Sequence, residues 1–263
     1  MQKIVSVEVH SHFGFLKKPD INDGIYLSYN MLHKPALLGI LGAIVGFEGY
    51  SIEGAMKPTD VPEYRKKLED MKVSIQPLGS QNGNFAKDVI KYTNTVGYAS
   101  EEEGGVLIIN EQTLICPSYR IFLLLDLQNE HHSLLFNRLK NQEAEYIPYL
   151  GKNDHQLWWD EFHEWKIIDN DFKPKQNFKI DSIFLKPSGK ERIERDRRPI
   201  HLGEDSVGFM YFERLPKGWH SQLPHYELAE FLLTNFSLSP KNEIPNLTRV
   251  QNEQGEQFII QIL

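Results

Sequence analysis

The chain has 263 residues, 25% of them charged and 11% aromatic, and a formal charge of −7. That length builds one large or two modest domains, while the negative balance excludes a protein that coats nucleic acid indiscriminately and leaves room only for a localised basic groove. The single Cys116 excludes an internal disulfide and a cysteine-based zinc site.

Met1 leads into KIVSVEVHSHFG, an alternating valine-rich run that predicts a first strand over 3–13 and has no signal-peptide character, so a cytoplasmic protein is expected. His10 and His12 share one face of that strand, and no third ligand is identifiable nearby, so no metal site is assigned. The following loop supplies Lys17, Lys18, Tyr26, Tyr29, His33 and Lys34. Pro35 suits a helix first turn and predicts a helix over 35–46. Leu37, Leu38, Ile40, Leu41, Ile44 and Val45 cover most of its circumference, as in a buried helix. Gly39, Gly42 and Gly46 leave a bare stripe; at about 1 kcal/mol per helical glycine the stripe calls for close packing, here expected against the sheet. Its GxxGxxxG spacing is neither a P-loop nor a dinucleotide fingerprint, and the apolar run is about half of the ~20 residues that a bilayer requires.

A short polar helix at 62–70 carries the solvated EYRKKLED charges, and KVSIQPL at 72–78 reads as the next strand. Residues 79–113, with an EEEGG turn at 101–105 and an apolar VLII at 106–109, form an excursion shaped as a long hairpin. SYRIFLLLDL, at 118–127, is a central strand buried on both faces. A helix at 131–140 is expected to turn Leu134, Leu135 and Leu139 inward. Strand, helix, strand, excursion, strand, helix is most of an α+β, ferredoxin-like domain (RRM-like) over 1–150. From 151 to 263 the aromatics Trp158, Trp159, Phe162 and Trp165, the repeated prolines and short strand candidates at 178–185, 206–213 and 257–263 predict a smaller, irregular β-rich region. A further basic cluster lies at Lys190 to Arg198.

There is no GxSxG elbow, the carboxylates are unpatterned, and Cys116, between Ile115 and Pro117 beside the apolar strand, reads as a structural thiol. No catalytic set and no cofactor is assigned. The pattern that points to a ligand is cations interleaved with tyrosines on loops beside the sheet: Lys17, Lys18, Tyr26, Tyr29 and Lys34, with Lys87, Lys91 and Tyr92 in the excursion. Aromatics stack on unpaired bases and cations hold the backbone of single-stranded RNA.

FGFLKKP at 13–19, followed by YLSYNMLHKPALLGILGAIVG at 26–46, resembles the opening of the CRISPR-associated Cas five family of RAMP proteins. QTLICPSYRIFLLLDL at 112–127 is similar to that family's central strand, and YIPYLGKNDH at 146–155 to its proline-tyrosine-leucine-glycine turn. The resemblance covers the first 155 residues or so and implies a type I Cascade subunit, nearest in look to type I-B. It implies a RAMP domain whose thumb-like hairpin, at 79–113, grips the 5′ handle of the CRISPR RNA. It also implies contacts with the backbone subunit and with the large subunit that inspects target DNA, and no membrane role. One branch of the family cuts precursor RNA through tyrosine, lysine and histidine side chains. Tyr26 or Tyr29, His33 and Lys34 are of those types but do not match that branch's positions, so binding without cleavage is expected, with a metal-independent endoribonuclease as the alternative.

Overall fold

The computed structural model describes residues 2–19, 24–50, 61–94, 107–187, 200–203, 207–220 and 225–263. In chain order the elements are β1 (Gln2–Ser11), β2 (Phe13–Gly14), β3 (Leu16–Lys17), β4 (Ser28–Tyr29), α1 (Lys34–Val45), α2 (Glu63–Leu68), β5 (Lys72–Leu78), β6 (Lys87–Asn94), β7 (Leu107–Ile115), β8 (Ser118–Asp126) and α3 (Glu130–Asn141). They continue with β9 (Leu157–Asn170), β10 (Phe184–Leu185), β11 (Met210–Trp219), β12 (Tyr226–Thr234), β13 (Leu247–Gln251) and β14 (Gln257–Gln261). The expected turn at 101–105, part of the apolar run at 106–109 and the cluster at Lys190 to Arg198 lie outside the described residues.

Six strands form one antiparallel sheet in the order β14-β13-β9-β1-β8-β5. Alternation along β1 sends Val5, Val7 and Val9 to one face, where they meet Leu37, Leu38 and Leu41 of α1 and Leu135 and Leu139 of α3 in the main core. Ile4 points the other way, into a second core with Phe122, Trp165, Val250 and Ile260. The Phe258 ring of β14 lies 5.1 Å from Trp165 and, edge-on, 6.2 Å from Phe122, so β13 and β14 curl across that face and close it. Ser6, Glu8 and His10 lie on the same face of β1 as Ile4, with Ser6 at the edge of the second core.

The sheet changes the expected domain organisation. β9, β13 and β14 all come from beyond residue 150, and β9 pairs directly with β1, so the expected boundary falls inside one sheet. The reason that β9 does not read as a strand is a β-bulge. Its pairing with β1 slips between Ser6 and Glu8, and Glu161 takes φ 48°. Trp159 therefore faces the helices, donating its indole N–H to Leu139 O at 3.0 Å, while Trp165, at the same parity, faces the second core and bonds Ser6 Oγ at 2.8 Å. A sequence with that phase break shows no clean alternation. The remaining β-rich part is a three-stranded sheet, β10-β12-β11, with β11 packed beside α1.

Three further expectations are corrected. The glycine stripe of α1 packs on a helix and a turn: a Cβ on Gly42 would lie 2.5 Å from Tyr64 Cβ of α2, and one on Gly46, at φ 88°, 2.8 Å from Glu145 Cγ. In α3, Leu135 and Leu139 are buried, but Leu134 is exposed, since it lies a third of a turn away from that pair. Cys116 is an exposed free thiol at the β7–β8 turn with φ 47°. Among the described residues no helix is long and apolar enough to cross a membrane.

Candidate nucleic-acid interface

The loop that enters α1 is held by a buried polar hub. Asn30 donates its side-chain N–H to Gly83 O at 2.6 Å, while its Oδ1 accepts from Phe85 N at 3.0 Å and Lys87 Nζ at 2.7 Å. The Glu213 carboxylate, on β11, accepts from the backbone amides of Asn30 and Met31, both at 3.0 Å. Lys18 Nζ lies 3.3 Å from Glu213 Oε1 and 5.2 Å from the centroid of the buried Tyr29 ring. Burial and the Glu213 charge together push the Tyr211 phenol far up. Burial draws the Lys87 ammonium down, opposed by Glu213. Lys18, Tyr29 and Lys87 are thus occupied in holding the loop.

His33 is part of the same framework. Its Nδ1 accepts from Ala36 N at 3.3 Å as the N-cap of α1, its ring meets Tyr29 edge-on at 5.2 Å, and burial draws its pKa down to about 3. Lys34 Nζ donates to Leu263 O at 3.4 Å, and burial lowers its pKa despite the nearby Asp70 and Glu69.

Lys17, Tyr26 and Tyr92 gather elsewhere, partway along the β6–β7 pair. Tyr26 is fixed alongside β7 by Tyr26 N to Asn110 O and Gln112 N to Tyr26 O, each 2.9 Å, and Lys17 Nζ sits 4.0 Å from its ring centroid. Buried Glu111, on β7, accepts from Tyr92 OH at 3.3 Å and from Lys152 Nζ at 3.1 Å, and the same ammonium lies 4.6 Å from the Tyr92 centroid. Desolvation is the largest single influence on Lys152 and opposes its charge, but the hydrogen bonds and charges of Glu111 and Tyr92 together outweigh it and the pKa is raised. Strand alternation places Lys87 and Lys91 on one face of the β6–β7 pair and Tyr92 on the other, with Lys91 exposed.

Lys152 is the member that sequence reasoning missed. It follows Gly151, whose φ of 88° and whose Cβ position falling on Phe15 O admit only glycine, and this glycine lets the 146–155 turn dock on the link between β2 and β3, where Phe15 N donates to Leu150 O at 3.1 Å. His155, on that turn, is buried with Nδ1 unpartnered; desolvation first and Lys152 second lower its pKa. An ammonium held over a tyrosine ring presents charge and aromatic surface together, the two chemistries that unpaired nucleotides use.

The fold also supplies what β1 lacked in sequence. Glu8 and Asp160 bring ligand atoms within 4.8 Å of those of His10. Their partners account for the cluster: Arg120 pairs with Glu8, and His10 bonds Asp160 Oδ1 through Nε2 and Ser118 Oγ through Nδ1, both at 2.9 Å.

No family model and no curated protein matches the chain. Among solved structures it is similar to a CRISPR protein from Archaeoglobus fulgidus, at 13% identity over 100% of both chains with a TM-score of 0.46. It is also similar to a chain of a CRISPR RNA-guided surveillance complex, at 10% identity over 91% of this chain and 92% of that one, TM-score 0.45. A CRISPR-associated protein matches at 15% identity over 61% of this chain and 68% of its own, TM-score 0.31.

Proposed function

We propose that this chain is a noncatalytic, cytoplasmic subunit of a type I Cascade complex, of the Cas five family and type I-B look, that binds and caps the 5′ handle of CRISPR RNA. In this reading it contacts the backbone and large subunits and meets target DNA in the assembled complex. The residues quoted from 13–19, 26–46, 112–127 and 146–155 support the family resemblance. The order strand, helix, strand, strand, helix, strand, with β9-β1-β8-β5 side by side, supports a ferredoxin-like RAMP domain. The β6–β7 pair, inserted between β5 and β8, supports a thumb.

One observation carries the proposal: of two lysine–tyrosine pairs, Lys152 with Tyr92 sits on Glu111 and Lys17 with Tyr26 lies beside it, Tyr26 bridging Glu111 along β7. The test is coexpression with the neighbouring genes and a repeat array, followed by RNA quantitation in the purified complex. Lys17→Ala and Lys152→Ala should each lower RNA retention, with the salt slope shallower by about 0.7 per lost phosphate contact. Assembly without RNA, or unchanged retention in both variants, overturns it.

The alternative, a metal-independent endoribonuclease, is favoured by one arrangement, Tyr92, Lys152 and the Nδ1-unpartnered His155 beside Glu111. Purified protein incubated with a repeat hairpin in EDTA decides: a single defined cut that Lys152→Ala abolishes supports the enzyme, and intact RNA supports the binder.

A further inference from the structure

A lysine ammonium has three N–H donors, and around Lys152 the protein supplies an acceptor for each: Glu111 Oε1 at 3.1 Å, Glu111 Oε2 at 3.2 Å and Tyr92 OH at 3.4 Å. The Glu111 side chain is 2% exposed, whereas that of Lys152 is 23% exposed. Lys17 is placed differently: it is exposed on β3, lies over the Tyr26 ring and has no carboxylate partner among the described residues. The two lysine–tyrosine pairs therefore differ in charge. One presents a free cation, and in the other the cation is neutralised from within the fold.

We propose that Glu111 competes with RNA phosphate for Lys152, so that phosphate is bound there by exchange and this carboxylate limits the affinity of the site. The inference rests on the reading of the lysine–tyrosine pairs as an RNA interface and adds a residue to it. Burial decides which partner moves. A carboxylate held inside the fold cannot be rehydrated when its counter-ion leaves, so releasing Lys152 is opposed by the cost of an uncompensated buried charge, a cost that Lys17 does not meet. Exchange stays feasible because Tyr92 OH, 3.3 Å from Glu111 Oε2, goes on donating to the carboxylate, and because the flexible four-carbon stem of a lysine lets the ammonium swing to the surface. A phosphate on Lys152 thus gains one ion pair and breaks another, whereas one on Lys17 gains without loss. In the parent chain Lys152 is therefore engaged by phosphate only in part.

The test titrates the full chain with labelled oligouridine over a range of salt concentrations. Glu111→Gln keeps the shape and a carbonyl acceptor for Tyr92 but removes the charge. It should bind about fivefold tighter at about 0.1 M salt, with a slope steeper by about 0.7, the signature of one added phosphate contact. The gain should vanish without the lysine, so that Glu111→Gln combined with Lys152→Ala binds no tighter than Lys152→Ala alone, a result that a purely structural role for Glu111 would not produce. In the parent chain oligouridine should shift the Lys152 ammonium resonance, a measurement that stands even where Glu111→Gln does not fold. Unchanged or weaker binding by a folded Glu111→Gln, a gain that survives Lys152→Ala, or an unmoved ammonium resonance overturns the competition. Lys17→Ala and Lys152→Ala both without effect would instead overturn the RNA reading itself.

Discussion

At the residue scale, the chemistry that looks available in sequence is largely consumed in the fold. His33 has its ordinary value of 6.5 drawn down to about 3 by burial. Between those values the unfolded chain takes up a proton that the folded chain refuses, so stability falls as pH drops below 6.5, by up to about 1.4 kcal/mol per pH unit. His132 and His155, also lowered by burial, act in the same direction. His33→Asn keeps a cap acceptor without the titration, and its urea midpoint should fall less than the parent's between neutral and mildly acidic pH; equal acid sensitivity would place the titrating group elsewhere. Glu213→Ala leaves two buried amides and Lys18 without their acceptor and should cost about 3 kcal/mol in denaturant melts, against about 1 kcal/mol for Lys18→Ala. Lys18 and Lys87 were legible as cations, but their occupation was not, because Glu213 is 183 residues from the Asn30 amide it binds. Lys17, Tyr26 and Tyr92 read as candidates because cations and tyrosines on loops and in the excursion are a local signal; Lys152 does not, since its partners Glu111 and Tyr92 reach it only through tertiary packing.

At the scale of elements, α1 separates two uses of glycine on one face. A methyl on Gly42 would overlap Tyr64, whereas one on Gly39 would lie 4.0 Å from the nearest atom, an ordinary contact. Gly42→Ala should therefore destabilise by about 2 kcal/mol through overpacking, while Gly39→Ala should be neutral or stabilising by up to about 1 kcal/mol through helix propensity. Thermal melts of the pair check this, and equal effects would mean that α2 yields to the added methyl. The helix itself was legible over nearly its full length, since its proline start and apolar circumference are local signals. That α2, itself expected as a short polar helix, packs on it was not, because an α1–α2 approach leaves no periodic trace in either segment. β9 was lost for a related reason: the bulge at Glu161 puts Trp159 and Trp165 on opposite faces and erases the alternation that would have announced a strand.

At the scale of the whole molecule, the sheet joins what composition divides. A fragment ending at residue 150 would lack β9, leaving one edge of β1 unpaired and stripping Trp165, Val250 and Ile260 from Ile4 and Phe122. It should show no cooperative unfolding in circular dichroism or calorimetry; a sharp two-state melt would restore the boundary as a domain limit. The order of the first elements was readable because each is built on local periodicity, whereas the return of β9, β13 and β14 to the same sheet is a long-range pairing that propensity does not encode. The Glu213 link gives this topology a consequence in time. A ribosome delivers the chain from its first residue onward at ~5–20 residues per second, so the loop bearing Lys17 and Tyr26 emerges long before the carboxylate that seats Asn30 and Met31. The turn at Asn30 and Met31 that enters α1 therefore waits, incompletely set, until β11 has been made.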